Sequence, residues 1–335
     1  MRIVVDAFGG DNSPGEIIKG CAQALGAYSD FELILTGDEG RLRLELGELA
    51  NYSGRVKLVH APQVISCEEQ PTVAIKKKKD SSLVKALELV ALKEADCFVS
   101  AGSTGAVLAG ATLIVRRLKG VKRPALAPIL PTRHGCVLLI DCGANTDCKP
   151  SYLQQFAVMG SAYMKGVMQI SEPRVGLINN GAEAEKGNDL TKVTYRLLEN
   201  TPVRFAGNCE ARDIVSGNYD VLVCDGFTGN VVLKFMEGLA GTLMGMLKDE
   251  LTSTALTKIG AAICRPAFSR FKKKMDYTEY GGAPLLGING GIIKAHGSSN
   301  AKAVCAAIRQ ARELVNGGVV EAIREGVAAL PDSED

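Results

Sequence analysis

The sequence predicts an α/β fold, a mostly parallel sheet with helices on both faces. Two observations predict it. Apolar runs of strand length recur along the chain, and stretches with helical periodicity separate most of them. Many of these runs end in a turn of Gly, Ser, Asp or Asn before the next helical stretch, as in a sheet of parallel strands and crossover helices. Composition agrees: 46% of the 335 residues are hydrophobic and 23% charged, enough for a sizeable core.

Taken in order, the strands are Ile3–Val5, Phe31–Leu35, Val56–Val59, Cys97–Val99, Cys136–Ile140, Val175–Ile178 and Val221–Cys224. Between the third and fourth, Leu83, Leu87, Val90 and Glu94 mark Ser82–Ala95 as a helix with Ser82 as its N-cap. Ser151–Met168 and Asp189–Glu199 read the same way. Cys97–Val115 carries no formal charge over 19 residues and is followed by Arg116 and Arg117, which is the length of a membrane span. Its centre, Ser100–Gly105, reads instead as strand, turn and helix, so a span is rejected. No secretory leader opens the chain, because Arg2 and Asp6 bracket only three apolar residues.

Val231–Met275 breaks the pattern. It reads as two long amphipathic helices around a turn near Thr252–Arg265, a protruding hairpin (231–276) within a single domain spanning 1–335. Arg265, Arg270, Lys272, Lys273 and Lys274 interleave there with Phe268 and Phe271. Pairing with a second copy is the preferred use of its apolar stripes, and contact with a membrane surface is compatible with that. Lys76–Lys79 reads as a solvated helix face, with docking of an acidic partner as its alternative.

Charge excludes a bulk electrostatic partner: 39 Lys and Arg against 37 Asp and Glu leave a formal +2, so no nucleic-acid partner is expected. Tryptophan is absent, which leaves few stacking platforms for single-stranded nucleic acid. The ten cysteines form no C-x-x-C pair and there are three histidines, so no metal site is expected. Cysteines inside apolar runs, such as Cys97, Cys136 and Cys224, read as small buried hydrophobes in a reducing cytoplasm.

Glycine is the unusual residue, at 37 positions. Many fall in turns that follow strands: Asp6–Pro14 with Gly9 and Gly10, Gly102-Ser103-Thr104-Gly105, Asp141–Asn145, Asn179–Gly187 and Asp225–Asn230. Gly281–Gly287 and His296–Ser299 come late in the chain. Open α/β sheets bind ligands at the carboxyl ends of their strands, where helix N-termini attract anions. One terminus contributes only about 0.3–1 kcal/mol to a bound charge, so a phosphate dianion needs several, together with a cation. Lys186 is the best-placed cation by sequence. Walker A, G-x-G-x-x-G and G-x-S-x-G motifs are all absent. His60 and His134 read as structural or solvated. His296, beside Gly297-Ser298-Ser299, could hold an anion, act as a general acid or anchor its turn.

These motifs resemble the phosphate acyltransferases of bacterial phospholipid synthesis, the PlsX type. The resemblance runs from Asp6 to about Ile308, through Asp6–Pro14, Ser100–Gly105, Asp141–Asn145, Glu183–Asn188 and Arg212–Ile214. It is strongest at Val223–Lys234, Gly281–Gly287 and Ala295–Lys302. Phe8, Ser103, Ala211 and Ala182 depart from the usual pattern. The resemblance implies a three-layer, Rossmann-like mixed fold similar to phosphate acetyltransferase and isocitrate dehydrogenase, as a homodimer. It implies conversion of acyl-ACP and inorganic phosphate into acyl phosphate and free ACP, without a cofactor, feeding glycerol-3-phosphate acylation. The partners it implies are acyl carrier protein, a second copy, the downstream membrane acyltransferase and the inner face of the cell membrane.

On that reading Lys186 and Thr228-Gly229-Asn230 bind phosphate and the oxyanion, Asp225 orients those donors, and His296 or Ser298 completes the pocket. Asp6, Gly9, Gly10, Ser103, Thr104, Gly105 and Asn145 are further substrate-binding candidates. Two other classes stand beside it: a dehydrogenase of the related fold, and a non-catalytic scaffold binding acidic proteins or membranes.

Overall fold

The computed structural model describes residues 1–275 and 281–331, with only the helical backbone for 272–275. The strands in chain order are Arg2–Asp6 (β1), Glu32–Gly37 (β2), Val56–His60 (β3), Cys97–Ser100 (β4), Ala125–Leu126 (β5), Ile129–Thr132 (β6), Gly135–Ile140 (β7), Arg174–Asn179 (β8), Arg204–Glu210 (β9), Val221–Val223 (β10), Ala283–Leu286 (β11) and Gly291–Lys294 (β12). They form two sheets rather than one. The larger runs β3-β2-β1-β4-β12-β11-β5, the smaller β6-β7-β10-β8-β9.

Within each sheet the long apolar runs pair in parallel. Val5 stands beside Leu35 and Val99, and Val223 stands between Ile140 and Leu177. Ile3, Val4 and Val5 are all buried, so both faces of β1 are covered and its sequence is continuously apolar instead of alternating. The antiparallel members are β5, β6 and β11, and they meet where the sheets adjoin. The mixed α/β architecture with helices on both faces is therefore present, divided into two sheets.

One core serves both. Helix Pro150–Gly166 covers β7 and β10, helix Ala301–Asn316 covers β4 and β12, and the two helices pack on each other. Tyr163 is fully buried between them, and its hydroxyl accepts a 2.8 Å hydrogen bond from Gln310 Nε2, so no polar atom is stranded there. Leu153, Phe156 and Met159 complete the same face, each side chain worth about 1.5–3 kcal/mol on burial.

Local details differ from the sequence reading in places. The helix expected over Ser82–Ala95 spans Ser82–Ala91, and its cap is Ser81, whose Oγ accepts from Val84 N–H. Ser82 lies inside the first turn and is buried. Thr252–Thr254 forms the whole hairpin turn between helices Gly226–Leu251 and Ala255–Met275, so 255–265 is helix and not turn. Thr254 Oγ1 accepts from Thr257 N–H at 3.2 Å, the local capping that starts the second helix so early. Gly238, Gly241, Gly245 and Gly260 all have open space where a side chain would stand, so the hairpin projects from the body. The side chains of Lys272, Lys273 and Lys274, and residue 276, lie outside the described residues. Among the described residues no helix is long and apolar enough to cross a membrane.

Candidate active site

Residues 125–132 stitch the two sheets together. Leu126 pairs with Leu285 of the larger sheet, and three residues later Ile129 pairs with Leu138 of the smaller. Asp141, at the end of β7, locks this crossing. One oxygen of its carboxylate accepts from Leu126 N–H (2.9 Å) and Ala144 N–H (3.2 Å). The other accepts from Asn145 N–H (2.7 Å) and Asn145 Nδ2 (3.0 Å). Burial pushes the Asp141 carboxyl up, and these four hydrogen bonds pull it back. Asn145 also donates to Pro124 O (2.8 Å) and accepts from Gly226 N–H (2.7 Å). It is a brace between two turns, with its amide hydrogens already engaged.

Beside it starts the long helix Gly226–Leu251. Asp225 caps it, accepting from Thr228 N–H at 2.9 Å and Thr228 Oγ1 at 2.7 Å. Asp225, expected to orient the donors, and Thr228, expected to be one of them, thus form a helix cap, and the next exposed side chain is Asn230. Gly229 lies against the Asp141 carbonyl so tightly that only glycine fits.

On the larger sheet the β1 turn supports a second wall. Asp6 is buried, which pushes its carboxyl up, while Ser100 Oγ donates to it at 2.8 Å and in turn accepts from Gly102 N–H at 2.9 Å. A Cβ on Gly9 would collide with this cluster, and Gly10, at φ +97°, lets Asp11 N–H reach Gly297 O at 2.9 Å. Asn12 Nδ2 donates to Ser298 O at 3.1 Å. Asp6, Gly9 and Gly10 therefore hold the His296–Ser299 turn in place. In that turn His296 Nδ1 accepts from Ser298 N–H (3.3 Å) and lies 2.8 Å from Ser298 Oγ, which puts the proton of the neutral ring on Nε2. Ser103 caps the helix Thr104–Gly110, and Gly105 sits against Pro71.

A cavity of about 280 Å³ opens on the seam. Thr104, Lys294 and His296 wall it from the larger sheet, Asn230 and Lys234 from the start of the long helix, and Leu126, Ile129 and Leu130 from the crossing strand. Of the residues anticipated from sequence, it gathers Thr104, Asn230 and His296. Lys186 is exposed in the loop after β8, beside β10, and is not among the lining residues; its carbonyl accepts from Asn179 Nδ2 at 3.1 Å. Lys294 was not singled out by sequence, and Asp141 and Lys234 entered only as ends of the motifs Asp141–Asn145 and Val223–Lys234. Lys294 closes an apolar run directly before Ala295 and His296, which was the available signal. His60 accepts from Glu39 N–H at 3.2 Å, a structural role, and His134 lies in the turn joining β6 and β7. Among the described residues no cluster of three or more His, Cys, Asp or Glu could hold a metal ion.

Solved structures of two phosphotransacylases are similar to this fold. A phosphotransacetylase from Streptococcus pyogenes superposes with TM-score 0.61 over 94% of both chains at 17% identity. A branched-chain phosphotransacylase from Enterococcus faecalis gives 0.55 over 94% of this chain and 99% of that one, at 15% identity. Sequence is more specific. The model of the family described as fatty acid synthesis protein matches residues 1–322, and the chain belongs to that family. It is 52% identical over 328 residues to the phosphate acyltransferase of Clostridium perfringens (strain SM101), covering 98% of this chain and 97% of the relative. It is likewise 52% identical over 330 residues to the phosphate acyltransferase of Pelotomaculum thermopropionicum, covering 98% and 96%.

Proposed function

We propose that the chain is a phosphate acyltransferase that converts acyl-ACP and inorganic phosphate into acyl phosphate and free ACP. The observation that carries this is the seam cavity, where two lysines and an exposed amide meet an apolar wall, in a chain half identical to phosphate acyltransferases along its length. A phosphate oxygen attacks the thioester carbonyl, forming the new C–O bond and placing the carbonyl electrons on an oxyanion. Collapse of that intermediate breaks the C–S bond, and the phosphopantetheine thiolate leaves. Phosphate is already a nucleophile, so the protein's task is to hold it in line and to donate to the oxyanion.

Asn230 is the side-chain donor for that oxyanion, and Lys186, outside the cavity lining on the exposed loop after β8, reaches it only once acyl-ACP is bound. His296, its proton on Nε2, donates to the phosphate. Leu126, Ile129 and Leu130 supply an apolar wall for the start of the acyl chain. The product feeds acylation of glycerol 3-phosphate, at the cytoplasmic face of the membrane, where a membrane acyltransferase consumes it.

Two exposed stripes support the assembly part of this reading. Phe227, Val231, Phe235, Leu239, Leu243 and Leu247 recur every fourth residue along the first hairpin helix, and all are exposed. A second copy covers that stripe in the homodimer. Leu256, Ile259 and Ile263 are exposed on the second helix just past the turn and form the membrane-contacting tip. No specific feature of the cavity favours the dehydrogenase or the scaffold.

The test is direct. The protein is mixed with acyl-ACP of several chain lengths and phosphate, the thioester is removed, and acyl phosphate is trapped with hydroxylamine. Phosphate-dependent hydroxamate is expected; none at any chain length overturns the reading.

A further inference from the structure

Lys294 is the last residue of β12, and it is only 8% exposed although it carries an ammonium group. Its Nζ donates to Ala101 O at 3.5 Å and to Ala295 O. Among the described residues no carboxylate forms an ion pair with it. Two neutral carbonyls are poor compensation for a buried charge, and native proteins rarely leave one so placed without a further partner. The group also lines the seam cavity, together with Asn230, Lys234 and His296.

The surrounding charges explain why this lysine, of the two in the cavity, is the one awaiting an anion. Lys234 is already neutralised by Glu237, 2.7 Å away in the next helical turn. Asp6 and Asp11 act on Lys294 through space, but Asp6 is hydrogen-bonded to Ser100. Lys186, the cation singled out from sequence, does not line the cavity.

We infer that Lys294 is the phosphate-anchoring residue of the cavity, its ammonium donating to a phosphate oxygen in a site shared with Asn230 and His296. For the identity of the anion, this rests on the acyl phosphate reading. Binding exchanges a weak carbonyl contact for a charge-assisted hydrogen bond. It also explains how a fully charged nucleophile is held beside an apolar wall, since the compensating charge is built into the floor. Burial depresses Lys294 to about 8, with Cys67, Asp11 and Asp6 opposing that fall and Lys234 adding to it. The anchor therefore loses its charge as pH rises through that region, and bound phosphate retains the proton on it.

The experiment is calorimetric titration of the full chain with inorganic phosphate, run beside the hydroxamate assay. Lys294→Met is expected to weaken phosphate binding about tenfold or more at pH near 7 while melting like the parent. Parent-like binding by a folded Lys294→Met overturns the inference and leaves the acyltransferase reading intact. Parent protein that binds phosphate through Lys294 but yields no hydroxamate supports the anchor and overturns the acyl-ACP reading.

Should Lys294→Met fail to fold, pH dependence decides, measured in a Cys67→Ser background, which removes the electrostatic influence of Cys67 on the lysine. Phosphate affinity is then expected to fall about tenfold between pH 7.5 and 10, while addition of Lys294→Arg, which stays charged, removes the fall. A flat profile without the arginine, or equal falls with and without it, overturns the inference.

Discussion

A Cβ placed on Gly229 would sit 1.9 Å from the carbonyl oxygen of Asp141. Asp141 directly follows β7, Gly229 lies in the first turn of the helix after the adjacent parallel strand β10, and the contact seats that turn directly on the Asp141 turn. Gly229→Ala is therefore expected to push that helix start outward. A loss of about 1–3 kcal/mol in urea unfolding should accompany the loss of hydroxamate formation. An alanine variant as stable and active as the parent would show that the contact relaxes freely.

Asn230 is exposed and, among the described residues, its side chain makes no hydrogen bond, so its removal touches chemistry without touching the fold. Asn230→Ala is expected to lower kcat by about 10²–10³, the usual value of one oxyanion donor, with an unchanged melting temperature. Lys186→Ala is expected to lower turnover at least about tenfold, yet to leave phosphate affinity nearly intact. Calorimetry and steady-state rates separate the two effects.

The pair Arg174–Asp220 ties β8 to the segment before β10, with Nε and Nη2 each 2.9 Å from a carboxylate oxygen. Burial acts to raise the Asp220 carboxyl, and hydrogen bonds from Arg174 outweigh it, so the group lies below its ordinary range. A depressed folded-state value means stability that is present above the unfolded value near 3.8 and lost as pH falls through the folded one. Asp220→Asn should therefore cost about 1 kcal/mol at neutral pH, since the partly exposed arginine weakens the pair. That difference should shrink toward zero when unfolding is followed below pH 3.

The hairpin stripes predict two separable phenotypes. Phe235→Glu combined with Leu243→Glu is expected to convert a dimer into a monomer in sedimentation. Leu256→Ser with Ile263→Ser is expected to leave the sedimentation coefficient alone and abolish flotation with anionic vesicles. Loss of both properties in either variant would mean that the two surfaces are one.

Each of the seven apolar runs became a strand, and those buried on both faces were legible because such strands must be continuously apolar; β3, half exposed and interrupted by Lys57, was legible only by its β-branched residues and its spacing. The antiparallel strands, and β12, which runs parallel to β4, were not. Ala125–Leu126 has two residues, too few for any periodicity, and Gly291–Lys294 ends in a charge that breaks the apolar pattern. The same charge hid Lys294, because burial of a lysine is decided by the neighbouring strands and not by its own sequence context. Conversely, Asn145 and Asp6 stood out in sequence as substrate-binding candidates and Asp225 as the residue orienting the donors. In the structure their carboxylates and amide hold turns together, work that glycine-rich strand ends demand and that resembles a binding motif in one dimension. Thr104, Asn230 and His296 were legible because each follows a strand end that abuts the seam, and the three line the same cavity.

The crossing at 125–132 gives the cavity an unusual mechanical character. Its walls come from two sheets, with Asp141 as the rivet and one short segment as the strap. The cavity therefore belongs to neither sheet alone: any substitution that shifts one sheet against the other displaces Asn230 and Lys234 relative to Thr104, Lys294 and His296.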